Sequence, residues 1–517
     1  MENPEKEVDK KIELKKEKIL KWFKDPYNII LSLVLVFAFV IRFYYFFSVG
    51  NQPLWWDEAA YGSLAKALVH PVLRTMEVVY SEWLIRPPLI PILWALFLKI
   101  RIPEQGIRFF LEFVPSILTV FFVYLVGKEM YNKKIGLIAS AIFSVLWIHL
   151  FYTLRFLTNL PALPFLFLSI YYFIKTNKQG FNFKYFSLSL FLLSIATLMR
   201  FPVGIVFFVY IIIFFLSNKI SLLKKPNFWI SVIIGITPII IFFLINLMLF
   251  GNIFPALLGG EYLRSPGEKL QGVKNPFHFQ TLNFILIYLT TTFFIFFLWG
   301  LGIVLFELFI GYNFILKNKK LQNHLLLLLI LILINSFFIF YLRASEDRWL
   351  FPTSLTMVCF SAIGIISLYD FIKKHSKYLA LIVVLGVLFF GAYAQISIAD
   401  GLIKNRKDSF LHLRTGFEWI KENTEQDSII SGSGIEVYSV YYGERAYLAL
   451  PANESDIINI EKNADYLVVH GYTVQASYLN DYLQKNQDKW QPINAFFLDP
   501  QTKQQPILVI YKNIQKN

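Results

Sequence analysis

Residues Phe228 to Phe250 read FWISVIIGITPIIIFFLINLMLF, a run with no charged side chain, entered through Lys224-Lys225-Pro226. A helix rises about 1.5 Å per residue, so about 20 such residues cross the hydrocarbon core of a bilayer. Apolar runs of the same kind lie at 27–48, 108–127, 135–152, 160–174, 185–199, 202–217, 281–311, 324–342, 350–369 and 378–396. Together they predict about eleven membrane spans. The 185–217 stretch divides at Arg200 into two short spans. Residues 281–311 are long for one crossing, so an extra turn or a kink is expected there.

The composition agrees. Of 517 residues, 56% are hydrophobic and 16% charged, against about 25% charged in ordinary soluble proteins. That excludes a disordered chain and argues against a soluble enzyme. A single cysteine, Cys359, excludes an internal disulfide and a multi-cysteine zinc site. Lysine plus arginine is 49 and aspartate plus glutamate 35, a net charge of +14. The lysines cluster at the ends of apolar runs, so this charge does not point to nucleic acid.

Their placement orients the chain. Lys128, Lys133 and Lys134 follow the second span; Lys175, Lys178 and Lys184 follow the fourth. Lys219, Lys224 and Lys225, then Lys317, Lys319 and Lys320, then Lys373, Lys374 and Lys377 continue the alternation. The positive-inside rule puts these loops in the cytoplasm. Residues 1–26, with eight lysines and seven acids, join them as a charged cytoplasmic segment without a secretory signal. The active face and the tail are then extracytoplasmic, in a multi-pass protein of the cell membrane.

The opposite face carries arginines beside acids. Its first loop, 49–107, is long for a connection between spans. Glu58–Val69 reads as a short amphipathic helix, and Leu89–Ile100 as an interfacial one bounded by prolines. From about 397 the composition changes. Short apolar runs (Ser428–Ile430, Tyr447–Leu450, Tyr466–His470, Ile507–Tyr511) alternate with polar helical stretches at 407–423 and 477–489. This predicts a C-terminal α/β domain over 397–517, beyond a transmembrane domain over 27–396. The Gly432-Ser433-Gly434 turn is too short for a dinucleotide fingerprint.

Three constellations can carry chemistry. Trp55-Trp56-Asp57-Glu58-Ala59-Ala60-Tyr61 sets adjacent carboxylates among aromatics at a bilayer interface, where an ionisable group is costly unless used. Asp57 is a candidate general base for an incoming hydroxyl; the structural alternative is a helix N-cap. The neighbouring carboxylates are expected to raise one another's pKa. Arg86-Pro87-Pro88-Leu89 fixes a guanidinium on the same face, suited to a phosphate, or is simply a rigid turn. Ser345-Glu346-Asp347-Arg348-Trp349-Leu350-Phe351-Pro352 opens a late span and offers an anion site at a helix start, or an ordinary charged loop.

With Leu198-Met199-Arg200-Phe201 and Phe250-Gly251-Asn252-Ile253-Phe254, these motifs resemble the landmarks of GT-C glycosyltransferases. The groups they are most similar to are the protein O-mannosyltransferases and the aminoarabinose-transferase-like enzymes, over about 40–400. The resemblance implies inverting transfer of a sugar from a polyprenyl-phosphate donor to an extracytoplasmic protein, lipid or glycan acceptor, through a hydroxyl or amine. By position Asp57 matches the family's catalytic carboxylate, and Glu58 is expected beside it as the second catalytic residue, orienting it or the acceptor. Arg86 stands where a basic residue, often lysine, precedes the prolines. Arg86, Arg155, Arg200 and Arg348 are expected at the donor phosphate; Trp56, Tyr61, Asn159 and Glu346 are expected to bind substrate. One departure is Asn159, an amide where many relatives carry an acid in the second outer loop. It weakens a metal-dependent reading. No cofactor is expected, although a divalent metal is not excluded.

Two other readings compete. A polytopic lipid or sugar transporter or flippase also explains many spans, but it tends to place charge at the bilayer midplane and to show repeats. Here Glu307 is the clearest charge within a span, and no repeat is visible. A structural subunit presenting the tail would leave Asp57 dispensable.

Overall fold

A computed structural model describes residues 22, 24–70, 73, 83, 86–178, 181–217, 220–253, 279–338, 347–498, 501 and 505–516. The protein is a helical membrane protein with a small C-terminal sheet domain. Among the described residues, helices lie over each of the eleven apolar stretches. Among the described residues seven are long and apolar enough to cross a bilayer: Pro26–Val49, Glu104–Met130, Pro226–Phe250, Leu282–Ile310, Lys319–Ser336, Arg348–Lys373 and Lys377–Asn423. Leu89–Lys99, Phe183–Met199 and Phe201–Leu216 are shorter apolar helices.

The helix starts explain themselves locally. Asp25, Asn132, Asn182, Asn318 and Ser376 each accept a backbone N–H of the helix that follows. Such caps satisfy amides that have no partner inside the helix. All five lie within two residues of a lysine, so capping and the charged ends of the spans coincide.

Two interruptions sit where the sequence places them. Arg200, in extended conformation, closes Phe183–Met199, and a 3-10 turn at Phe201–Gly204 leads into Ile205–Leu216. Phe279–Ile310 is kinked at Thr290, whose φ of 57° lies in the left-handed region, a costly setting for a β-branched residue. Gln395 supports the kink: its amide donates to Tyr288 O (3.2 Å) and Thr290 Oγ1 (3.4 Å) and accepts from Trp147 N (2.7 Å).

The sheet has the order β2-β1-β3-β5-β4. Strands β1 (Ile429–Gly432), β2 (Ala446–Ala449) and β3 (Tyr466–His470) run parallel; β5 (Pro506–Asn513) and β4 (Trp490–Phe497) continue antiparallel. The helix expected over 407–423 begins at Leu411, because Phe410 takes φ 67° and breaks the backbone.

The sheet domain is packed onto the first long loop. One buried cluster joins Leu54, Ala60, Tyr61, Trp94 and Phe156 to Phe417, Ile430, Tyr438 and Tyr441. Polar contacts pin the seam. Ser63 Oγ donates to Val437 O (2.9 Å), Lys66 Nζ to Tyr441 O (2.6 Å), Leu54 N to the Tyr442 hydroxyl (2.9 Å), and Lys66 pairs with Glu444 (2.6 Å). Gly62 leaves room for this approach: a Cβ there would lie 2.5 Å from the Tyr441 ring. Gly62→Leu is therefore expected to lower stability by about 1–3 kcal/mol through overpacking. An unchanged thermal midpoint in detergent would contradict the packing.

Candidate active site

The Trp56–Val69 helix carries both acids in its first turn. The structure separates their jobs. Glu58 is fully buried and caps the helix, its Oε2 accepting Trp55 N at 2.9 Å. Arg155 grips the same carboxylate, Nε to Oε1 at 2.6 Å and Nη2 to Oε2 at 3.0 Å. Arg155 Nη1 also donates to Gln52 Oε1 (2.7 Å), Nη2 reaches Pro53 O (3.3 Å), and the guanidinium lies 4.0 Å from the Trp55 ring centroid. Arg155 is 1% exposed. The structure places Arg155, expected at the donor phosphate, in a buried pairing with Glu58. Glu58 is likewise sealed from solvent, with both carboxylate oxygens held by Trp55 N and Arg155.

Asp57 is left to the surface. It is not a cap, since Trp55 holds that position. Its Oδ1 accepts Arg86 Nη2 at 3.2 Å and its Oδ2 accepts Arg348 Nη2 at 2.8 Å. Burial pushes the Asp57 carboxyl up, but the two guanidiniums outweigh it and hold the group below its ordinary value. Burial also pushes Glu58 up, against the pull of Arg155 and Arg108, and leaves it above the ordinary range. The expectation that the neighbours raise one another is thereby corrected: the acids are driven apart by what each faces.

The arginines at Asp57 are themselves braced. Arg86, before Pro87-Pro88 and the Leu89–Lys99 helix, lies 4.8 Å from the Tyr61 ring centroid and 5.4 Å from that of Trp56. Cation–π attraction of this kind contributes about 0.5–2 kcal/mol. Arg348 lies in the Asp347–Thr353 turn, and its backbone carbonyl accepts Asn159 Nδ2 at 2.7 Å. Asn159, 3% exposed at the head of Asn159–Lys178, is thus placed against the Arg348 backbone. An ionised acid could not donate this bond, which gives the amide at 159 a physical reason. Arg200 ends its own helix, where neighbouring Met199 packs with Ile90 and Ala162. Glu346 lies outside the described residues.

Sequence reasoning missed the tail's part in this site. The Trp56 indole donates towards Glu436, at the start of the short helix after β1, and burial pushes the Glu436 carboxyl up. No local signal links two positions so far apart in the chain. Among the described residues no group of three or more His, Cys, Asp or Glu side chains comes together, and both Asp57 oxygens face guanidiniums.

Residues 85–245 match the dolichyl-phosphate-mannose-protein mannosyltransferase family model. No curated protein sequence matches the chain. Among solved structures, the archaeal oligosaccharyltransferase AglB from Archaeoglobus fulgidus, in complex with an inhibitory peptide and a dolichol-phosphate, is similar with a TM-score of 0.59. That match has 12% identity and covers 87% of this chain and 70% of that one. ArnT from Cupriavidus metallidurans in the apo state gives 0.60 at 10% identity, over 93% of this chain and 97% of that one. Bound to undecaprenyl phosphate, ArnT gives 0.57 at 9% identity, over 94% and 97%. Identities this low speak for the fold.

Proposed function

From its place among the GT-C glycosyltransferases by fold, we propose that this chain transfers a sugar from a polyprenyl-phosphate donor to an extracytoplasmic hydroxyl or amine, with inversion. The observation that carries the proposal is the Asp57 carboxylate set between Arg86 and Arg348. The lipid phosphates in the AglB and ArnT structures support the donor class. The lysine pattern supports a cytoplasmic N-terminus, with the site and the C-terminal domain on the other side.

In this reading the acceptor oxygen or nitrogen attacks the anomeric carbon opposite the phosphate. The bond from that carbon to the phosphate oxygen breaks, and its electron pair leaves with the phosphate. The acceptor proton passes to Asp57 and then to water. Charge grows on the leaving phosphate, so fixed cations there favour the transition state over the ground state. Arg86 and Arg348 supply them; Glu58, Arg155 and Asn159 hold the groups that act. Trp56 and Tyr61 brace Arg86, and the Glu436 side of the sheet domain borders the acceptor's approach.

The test is to incubate the purified full chain with a panel of labelled polyprenyl-phosphate sugars and the membranes of its host. One donor is expected to yield a new labelled glycoside and free polyprenyl phosphate. Movement of lipid across vesicles without a new glycosidic bond would replace this reading with a transporter.

A further inference from the structure

Asp57 and the donor phosphate need the same two cations. Each Asp57 oxygen is matched to one guanidinium, Arg86 at 3.2 Å and Arg348 at 2.8 Å. The guanidiniums lie deeper than the acid: the Asp57 side chain is 33% exposed, Arg86 11% and Arg348 18%. Among the described residues these are the side-chain partners of Asp57. A carboxylate neutralised twice is a poor proton acceptor. Guanidiniums facing a carboxylate are also poor receivers of a phosphate, since two anions then share one positive pocket.

The bracing shows which parts stay and which exchange. Arg86 keeps its aromatic faces whichever anion it meets. Arg348 is anchored through its backbone carbonyl by Asn159, a bond that does not depend on which anion its guanidinium meets. Asp57, with Trp55 and Glu58 completing the helix start, gives up no cap when its ion pairs loosen.

Resting on the transferase reading above, we propose that Asp57 occupies the donor-phosphate pocket until the donor arrives, and that donor binding draws Arg86 and Arg348 off Asp57 and so makes it a base. Donor binding and base activation are then one event, and the acceptor is deprotonated only once the leaving group is in place. Linkage makes the coupling reciprocal: loss of the Asp57 charge tightens the phosphate as much as the phosphate weakens Asp57's hold on its cations.

The experiment titrates the detergent-solubilised full chain with farnesyl phosphate at pH 7.5, with farnesol as control. Asp57→Asn is expected to bind about tenfold tighter than the unaltered protein, within the usual range of such couplings. Asp57→Ala, a truncation, is expected to shift the same way, and Arg348→Gln to bind about tenfold weaker. If Asp57 merely props the arginines in place, its loss releases them and binding weakens. Equal or weaker binding by both Asp57 variants, with the unaltered protein binding normally, therefore overturns the proposal. If the unaltered protein does not distinguish farnesyl phosphate from farnesol, the transferase reading falls, and this inference with it.

Discussion

Asp57→Asn is expected to cut sugar transfer by about 10²–10⁴-fold, the usual contribution of a positioned general base. The exchange is nearly isosteric, and the helix start is capped by Glu58, so the fold should survive it. The carboxylate it removes is one-third exposed, and ion pairs so close to solvent contribute little to stability. The thermal midpoint should accordingly stay within a few degrees while turnover collapses. Rate and midpoint measured on one detergent preparation decide the matter: full turnover removes Asp57 from the chemistry, and an unfolded variant shows that the side chain is structural.

Glu58→Gln is the converse case. Glu58 and Arg155 are 0% and 1% exposed along their side chains and meet at 2.6 Å. Taking one member from a buried pair strands the other's charge, at a cost of about 3–5 kcal/mol. Loss of activity should therefore accompany loss of stability, unlike at Asp57. Exchanging both members for apolar residues of similar volume should recover much of that stability, because no buried charge is then left alone. Denaturant titration of the single and double variants checks both statements. A Glu58→Gln protein as stable as the parent would mean that the pair carries no structural load.

Much of this was legible in the residues, for reasons that can be named. The spans are read from run length, and the break at Arg200 and the kink in 281–311 follow from a mismatch between run length and bilayer thickness. Asp57 and Arg86 were readable as a pair because both lie in one loop beside aromatic and proline residues that restrict the backbone. Arg155 was not, since its role depends on Glu58, Gln52 and Pro53 closing round it. Asn159 was readable as a polar residue on the outer face, but its bond to a carbonyl 189 residues away was not. Strand β4 escaped notice because Gln491, Pro492 and Asn494 interrupt its apolar alternation. Proline is tolerated on this edge strand, where the register shifts between Pro492 and Asn494.

The core shared by Tyr61 and Trp94 with Phe417, Tyr438 and Tyr441 has a consequence for biogenesis. The first two of these leave the ribosome hundreds of residues before the last three. Until synthesis ends, the segment bearing Asp57 is inserted but wears an uncovered aromatic face, and it cannot assume its working shape. The newborn membrane portion thus lacks the partners of that face, and a chain cut short before residue 411 would carry it uncovered permanently.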